Sequence, residues 1–64
     1  MNPHRFSERL LEGLPTLQRE VLTLRLLRGL SAEEVAAELS MDVALVRRIQ
    51  QQGWAEIQQR LHSA

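Results

Sequence analysis

Residues 32–51 read Ala32-Glu33-Glu34-Val35-Ala36-Ala37-Glu38-Leu39-Ser40-Met41-Asp42-Val43-Ala44-Leu45-Val46-Arg47-Arg48-Ile49-Gln50-Gln51. Val35, Leu39, Met41, Val46 and Ile49 are spaced as the inward apolar positions of two short helices. Ser40, Met41 and Asp42 break the helical pattern for about one turn. Ala36 supplies a small side chain where the two backbones must come close. This spacing predicts a helix-turn-helix, whose second helix is of a size to enter the DNA major groove. The first turn position calls for positive φ, which favours Gly. Here it is Ser40, so a small strain is expected there.

Outward from this unit, Ser31 and Glu34 form a capping box that opens the first of the two helices, predicted over residues 32–39. Asp42 caps the second, predicted over 43–61. Its inward face is Val46, Ile49, Gly53, Ile57 and Leu61, with Trp54 alongside. Gly53 in mid-helix costs ~1 kcal/mol relative to Ala. Close packing against Trp54 or a neighbouring helix would offset this; otherwise it is a tolerated weak point. Upstream, Asn2-Pro3 starts a helix over about 3–12, carrying Phe6, Leu10, Leu11 and Leu14. Gly13-Leu14-Pro15 ends that helix and begins another over 15–27. Leu17, Val21, Leu24 and either Leu27 or Leu22 form its stripe, and Gly29 is its left-handed C-cap. The expectation is an all-α, compact four-helix domain, residues 1–64 forming one unit with the helix-turn-helix at its C-terminal end.

The chain has 64 residues, with eight Arg against eight Asp and Glu, and no Cys. A chain of this length buries only ~60% of its unfolded surface. Without Cys, neither disulfides nor thiolate-bound zinc can reinforce it. His4 and His62 lie at opposite ends without an acidic cluster, so no metal and no cofactor is expected. No apolar run approaches the ~18 residues of a membrane span, and a cytoplasmic location is the expectation. The zero net charge weighs against DNA binding, but it is uneven. Residues 1–42 carry five Arg against seven acids; residues 43–64 carry Arg47, Arg48 and Arg60 against Glu56 alone. The predicted recognition helix is the basic part, although a solvated helix face would look similar. No nucleophile–base pair, acidic dyad or Gly-rich phosphate loop is present, so an enzyme is not expected. Glu33 and Glu34 are accounted for by the capping box.

Leu14-Pro15-Thr16-Leu17-Gln18-Arg19-Glu20-Val21-Leu22-Thr23-Leu24-Arg25, then Gly29-Leu30-Ser31-Ala32-Glu33-Glu34-Val35-Ala36, resembles region 4 of bacterial RNA polymerase sigma factors. The resemblance covers about residues 14–61. It weakens in the recognition helix, where Val46-Arg47-Arg48-Ile49 is still similar to the Ile-Arg-Gln-Ile of primary-type sigma factors. LuxR-type regulators share part of the pattern, but the Leu-Pro and Arg-Glu-x-x-Leu-x-Leu-Arg elements favour sigma factors. The resemblance implies two partners: double-stranded promoter DNA, read at its −35 element, and the flap of the RNA polymerase β subunit. It also implies anti-sigma proteins as competitors for those surfaces.

The residues that would read DNA are Arg47, Arg48 and Gln51, with Val43 and Ala44 in the first turn. Arg takes guanine bidentately and Gln takes adenine, whereas Val43 and Ala44 can offer only methyl contacts to thymine. Arg47 matches the family position most often associated with base contact. Arg28, with Arg19 and Arg25, can touch phosphates, which fixes position and not sequence. The apolar Val43-Ala44-Leu45 turn carries a second reading, since exposed apolar patches mark protein contacts. On that reading Val43, Leu45, Trp54, Ile57 and Leu61 face a protein. The module would mimic a sigma domain, binding polymerase, an anti-sigma protein or a second copy, with little DNA affinity. In the plain alternative Leu45 folds under and joins the core.

Overall fold

The computed structural model describes residues 9–62. The expected Asn2-Pro3 helix start and Phe6 lie outside the described residues. Residues 9–11 are helical, with Leu11 and Leu14 buried behind them. Helix α1 follows at Thr16–Leu22 and continues directly into a π-helical segment, Thr23–Leu27. Helix α2 spans Ala32–Leu39 and helix α3 Val43–His62. Helix α3 packs against both α1 and α2, so it is the spine that the shorter elements share.

Local chemistry sets these boundaries. Ser31 Oγ accepts from Glu34 N at 3.0 Å, and Ser31 N donates to Glu34 Oε1 at 2.9 Å. Both halves of the capping box are therefore made, and two otherwise orphaned donors are satisfied. The Glu34 carboxyl is held below its ordinary range, first by the Ser31 backbone N–H and then by the Ser31 hydroxyl. At the other end of α2, Ser40 adopts φ 54°, ψ 49°. Met41 N donates to Ala36 O at 2.8 Å and Ser40 N to Ala37 O at 3.4 Å. These are the two bonds of a Schellman motif. Asp42 Oδ1 accepts from Ala44 N at 2.8 Å and starts α3. Ser40 thus occupies the left-handed region that its place in the turn demanded. Ser40→Gly removes the Cβ penalty, partly offset by the freer unfolded chain. It is expected to stabilise the domain by about 0.5 kcal/mol, read as a rise of a few degrees in the thermal midpoint. A fall would contradict the left-handed assignment.

The π-helical turn was not legible as such in the apolar spacing. Within it Arg28 N donates to Thr23 O at 3.2 Å, and Leu30 N closes the end on Leu24 O at 3.0 Å, with Gly29 at φ 71°.

The core has two lobes. One gathers Val21, Leu24, Ala32, Val35, Ala36, Val46 and Ile49, with Leu30, Leu39, Met41 and Val43 packed on it. This is the helix-turn-helix core that the spacing of residues 32–51 predicts. The other gathers Leu11, Leu14, Leu22 and Ile57, with Leu10 and Leu27 against it. Val21 and Leu22 are neighbours in sequence and serve different lobes, so α1 is buried on two sides. Of the stripe expected on this helix, Val21 and Leu24 are buried, but Leu17 is exposed at 42%. Gly53 is buried, and a Cβ there would lie 2.8 Å from Leu22 Cδ1 and 3.4 Å from Gln18 Cβ. The close approach is therefore to the neighbouring helix α1. Leu61, expected inward, is 52% exposed, because α3 runs past the leucines that cover Ile57.

Arg60 pins this end of α3. Its Nη1 donates to the carbonyls of Leu10 and Glu12, where the chain turns through Gly13 at φ 83°. Carbonyls at a helix C-terminus lack intrahelical partners, and a guanidinium satisfies them with charge of the favourable sign.

Candidate nucleic-acid interface

An α-helix turns about 100° per residue. On α3 the buried residues Val46, Ile49, Gly53 and Ile57 form one stripe. Ala44, Arg47, Arg48 and Gln51 fall within about a third of the circumference on the opposite side. All four are exposed. The first turns of α3 therefore present two guanidinium groups, one amide and a methyl group to solvent, on a rod held from behind by both core lobes. A groove about 12 Å wide accepts such a rod.

The remaining sequence-derived candidates fall elsewhere. Val43 is half-buried and packs on the helix-turn-helix core, so little of it is available to a base. Leu45 stays on the surface, 42% exposed, and does not join the core. Arg28 is exposed at the end of the π-helical segment. It lines a groove of about 360 Å³ together with Arg19, Glu20, Thr23, Leu24, Glu38 and Leu39. The two acids there oppose the two arginines, so the groove has no net charge to attract phosphate. Ile57, expected to meet a protein partner, is 1% exposed and belongs to the core. It is unavailable without unfolding the lobe it holds. Trp54 is 46% exposed. With Leu22, Leu26 and Gln50 it lines a notch of about 220 Å³, and Leu26 adds an exposed apolar side chain that the sequence pattern left among the unremarked positions.

Three polar residues have roles that sequence reasoning missed. Arg25 is half-buried. Its Nε donates to Gln50 Oε1 at 2.9 Å and its Nη1 to Leu30 O at 2.7 Å. It ties the π-helical segment to α3 and to the loop before α2, so it is engaged inside the fold and not poised over phosphate. Arg60 is the C-terminal pin described above. Glu33 stands outside the capping box, its Oε1 2.7 Å from Arg47 Nη2. Its carboxyl is held below the ordinary range, foremost by its own backbone N–H, with the Arg47 charge and hydrogen bond adding to the effect. Arg48, by contrast, makes no ion pair or hydrogen bond among the described residues.

A family model for sigma-70, region 4 matches residues 8–53. The chain belongs to the sigma-70 region 4 family. The match runs through the whole exposed stripe, Ala44 to Gln51, and stops at Gly53, short of Trp54 and Leu61. Sigma-70 region 4 is a transcription-factor domain and not an enzyme family. Its members typically bind DNA and RNA polymerase, which gives this chain a transcription-related, DNA-binding role. No curated protein matches the chain. Among the described residues of this sigma-70 region 4 domain, no helix is long and apolar enough to cross a membrane.

Proposed function

We infer that the chain reads −35-type promoter DNA with the outward stripe of α3 and meets the RNA polymerase β flap through its apolar surface. The observation that carries the DNA half is the alignment of Ala44, Arg47, Arg48 and Gln51 opposite the buried face of α3. Ala44 can touch a thymine methyl, Gln51 can pair with adenine, and either arginine can take guanine. With two arginines and no net charge, phosphate contacts are few. Binding should therefore lose affinity with salt only modestly, the slope counting the phosphates neutralised.

Fluorescence anisotropy of a −35-like duplex and a scrambled duplex, repeated across salt concentrations, tests this. Arg48→Ala is expected to weaken binding to the promoter duplex by about 5- to 100-fold, the range of one good base contact. Equal affinity for both duplexes, unchanged by Arg48→Ala, would remove α3 as the reading element.

A second reading, a sigma-mimicking protein-interaction module, draws support from the exposure of Leu26, Leu45, Trp54 and Leu61. Leu26 and Trp54 lie together along one notch, and contiguous exposed apolar surface marks protein contacts. The partner would be polymerase, an anti-sigma protein or a second copy of the chain. On this reading Trp54 fluorescence shifts when the β flap or concentrated protein is added, and duplex DNA has no effect.

A further inference from the structure

Arg47 is tethered, and its neighbour Arg48 is not. Arg47 Nη2 lies 2.7 Å from Glu33 Oε1, across 14 positions of sequence. The two side chains are 56% and 65% exposed, so the pair adds little to stability. Its consequence is for where Arg47 points. Glu33 is fixed in the first turn of α2, between the capping-box residues Ser31 and Glu34 and beside buried Ala32. A guanidinium has five N–H donors. Both two-donor edges of the guanidinium, Nε with Nη2 and Nη1 with Nη2, include Nη2. The bond to Glu33 takes one Nη2 hydrogen and leaves the edge on its other side for the paired acceptors of guanine. An untethered arginine must surrender its rotamer freedom on binding, and a tethered one has surrendered it beforehand. The carboxylate also offsets the Arg47 charge, which weakens its attraction to any phosphate.

We propose that Glu33 is a positioning and specificity-determining residue: it aims Arg47 at a base edge and suppresses the sequence-independent phosphate contacts of that arginine. This rests on the DNA-reading role inferred above. The recognition face then holds two arginines of different character. Arg47 is aimed and its charge is partly offset by Glu33; Arg48 has no such partner among the described residues.

The test selects duplexes from a randomised library with the 64-residue chain and its Arg47→Ala, Glu33→Ala and Glu33→Gln variants. Anisotropy on one scrambled duplex across salt is measured alongside. The wild type is expected to enrich guanine at the position that Arg47 meets, and Arg47→Ala to lose that enrichment alone. Glu33→Ala should reduce it by roughly 1.5- to 5-fold, the scale of an exposed ion pair. The same variant should bind the scrambled duplex more tightly and with a salt slope steeper by about one contact. Glu33→Gln, which keeps an acceptor without the charge, should retain the guanine preference and still gain scrambled-duplex affinity. A Glu33→Ala profile equal to wild type, with unchanged scrambled affinity, overturns the proposal while leaving the DNA-reading role standing. So does an Arg47→Ala profile equal to wild type. A purely structural role for Glu33 would weaken every duplex equally and lower the thermal midpoint, and that outcome also overturns it. A wild type that enriches no sequence overturns the DNA-reading role and this inference together.

Discussion

Leu22→Ala is expected to destabilise the protein by about 3 kcal/mol, a typical loss for a fully buried leucine whose surroundings cannot collapse. Among the described residues, Leu22 and Ile57 are the largest fully buried side chains. Leu22 joins Leu11, Leu14 and Ile57 in the second lobe, and its Cδ1 sits where a side chain on residue 53 would begin. A chain of this size has a total stability of about 3–10 kcal/mol, so the loss is a large fraction of it. The thermal midpoint should fall by ~12–24 °C, measured by circular dichroism. A fall below a few degrees would mean that Leu22 does not fill the lobe. Gly53→Ala sharpens the test. In the wild type the new Cβ would meet Leu22 Cδ1 at 2.8 Å, which forces the packed core to shift and works against the ~1 kcal/mol of helix propensity gained. In the Leu22→Ala background the obstructing atom is gone, and Gly53→Ala should become clearly stabilising. Additive effects in this double-mutant cycle would contradict the contact.

What the sequence reveals about this molecule divides along a physical line. Features made within one turn of chain were legible: the Ser31–Glu34 capping box, the Asp42 cap, the left-handed Ser40 and Gly29, and the bounds of α2. Each depends on side chains that reach only their own backbone. The exposed stripe of α3 was legible too, because it is the complement of the period-3.6 apolar stripe at Val46, Ile49 and Ile57. Features made between elements were not. The five-residue π-helical segment Thr23–Leu27 is about one turn, too short to show a period different from that of an α-helix, so it read as ordinary helix. Leu17, Trp54 and Leu61 fit the apolar register yet remain exposed, because register says which way a residue faces and not whether anything covers it. The Arg47–Glu33 pair and the close approach of Gly53 to Leu22 join positions 14 and 31 apart, beyond the reach of any local pattern. The same holds for the arginine whose reading changes most.

Arg25→Ala is expected to cost about 2–3 kcal/mol of stability and to leave the salt dependence of DNA binding unaltered. As a surface phosphate contact, Arg25 would behave in the opposite way: its loss would spare the fold and reduce the salt slope by about one. Its geometry argues for the fold. Two donors of one half-buried guanidinium are engaged at once, Nε on Gln50 Oε1 at 2.9 Å and Nη1 on Leu30 O at 2.7 Å. Hydrogen bonds from a charged donor stabilise by roughly 1.5–3 kcal/mol, and removing the donor leaves the Leu30 carbonyl in need of a new partner. Leu30 lies in the loop just before the capping box of α2, and Gln50 lies on α3 one residue before Gln51 of the outward stripe. The guanidinium thus sets the separation between the loop that starts the helix-turn-helix and the helix that reads. Arg25→Lys should not restore stability, since a single ammonium on a flexible stem does not reproduce a planar fork reaching two acceptors on different elements. Thermal unfolding of both variants, with anisotropy at a temperature where each remains folded, separates the two roles. A wild-type thermal midpoint combined with a shallower salt slope would return Arg25 to the DNA-binding surface. A lowered midpoint with an unchanged slope would make it the internal brace of the reading unit.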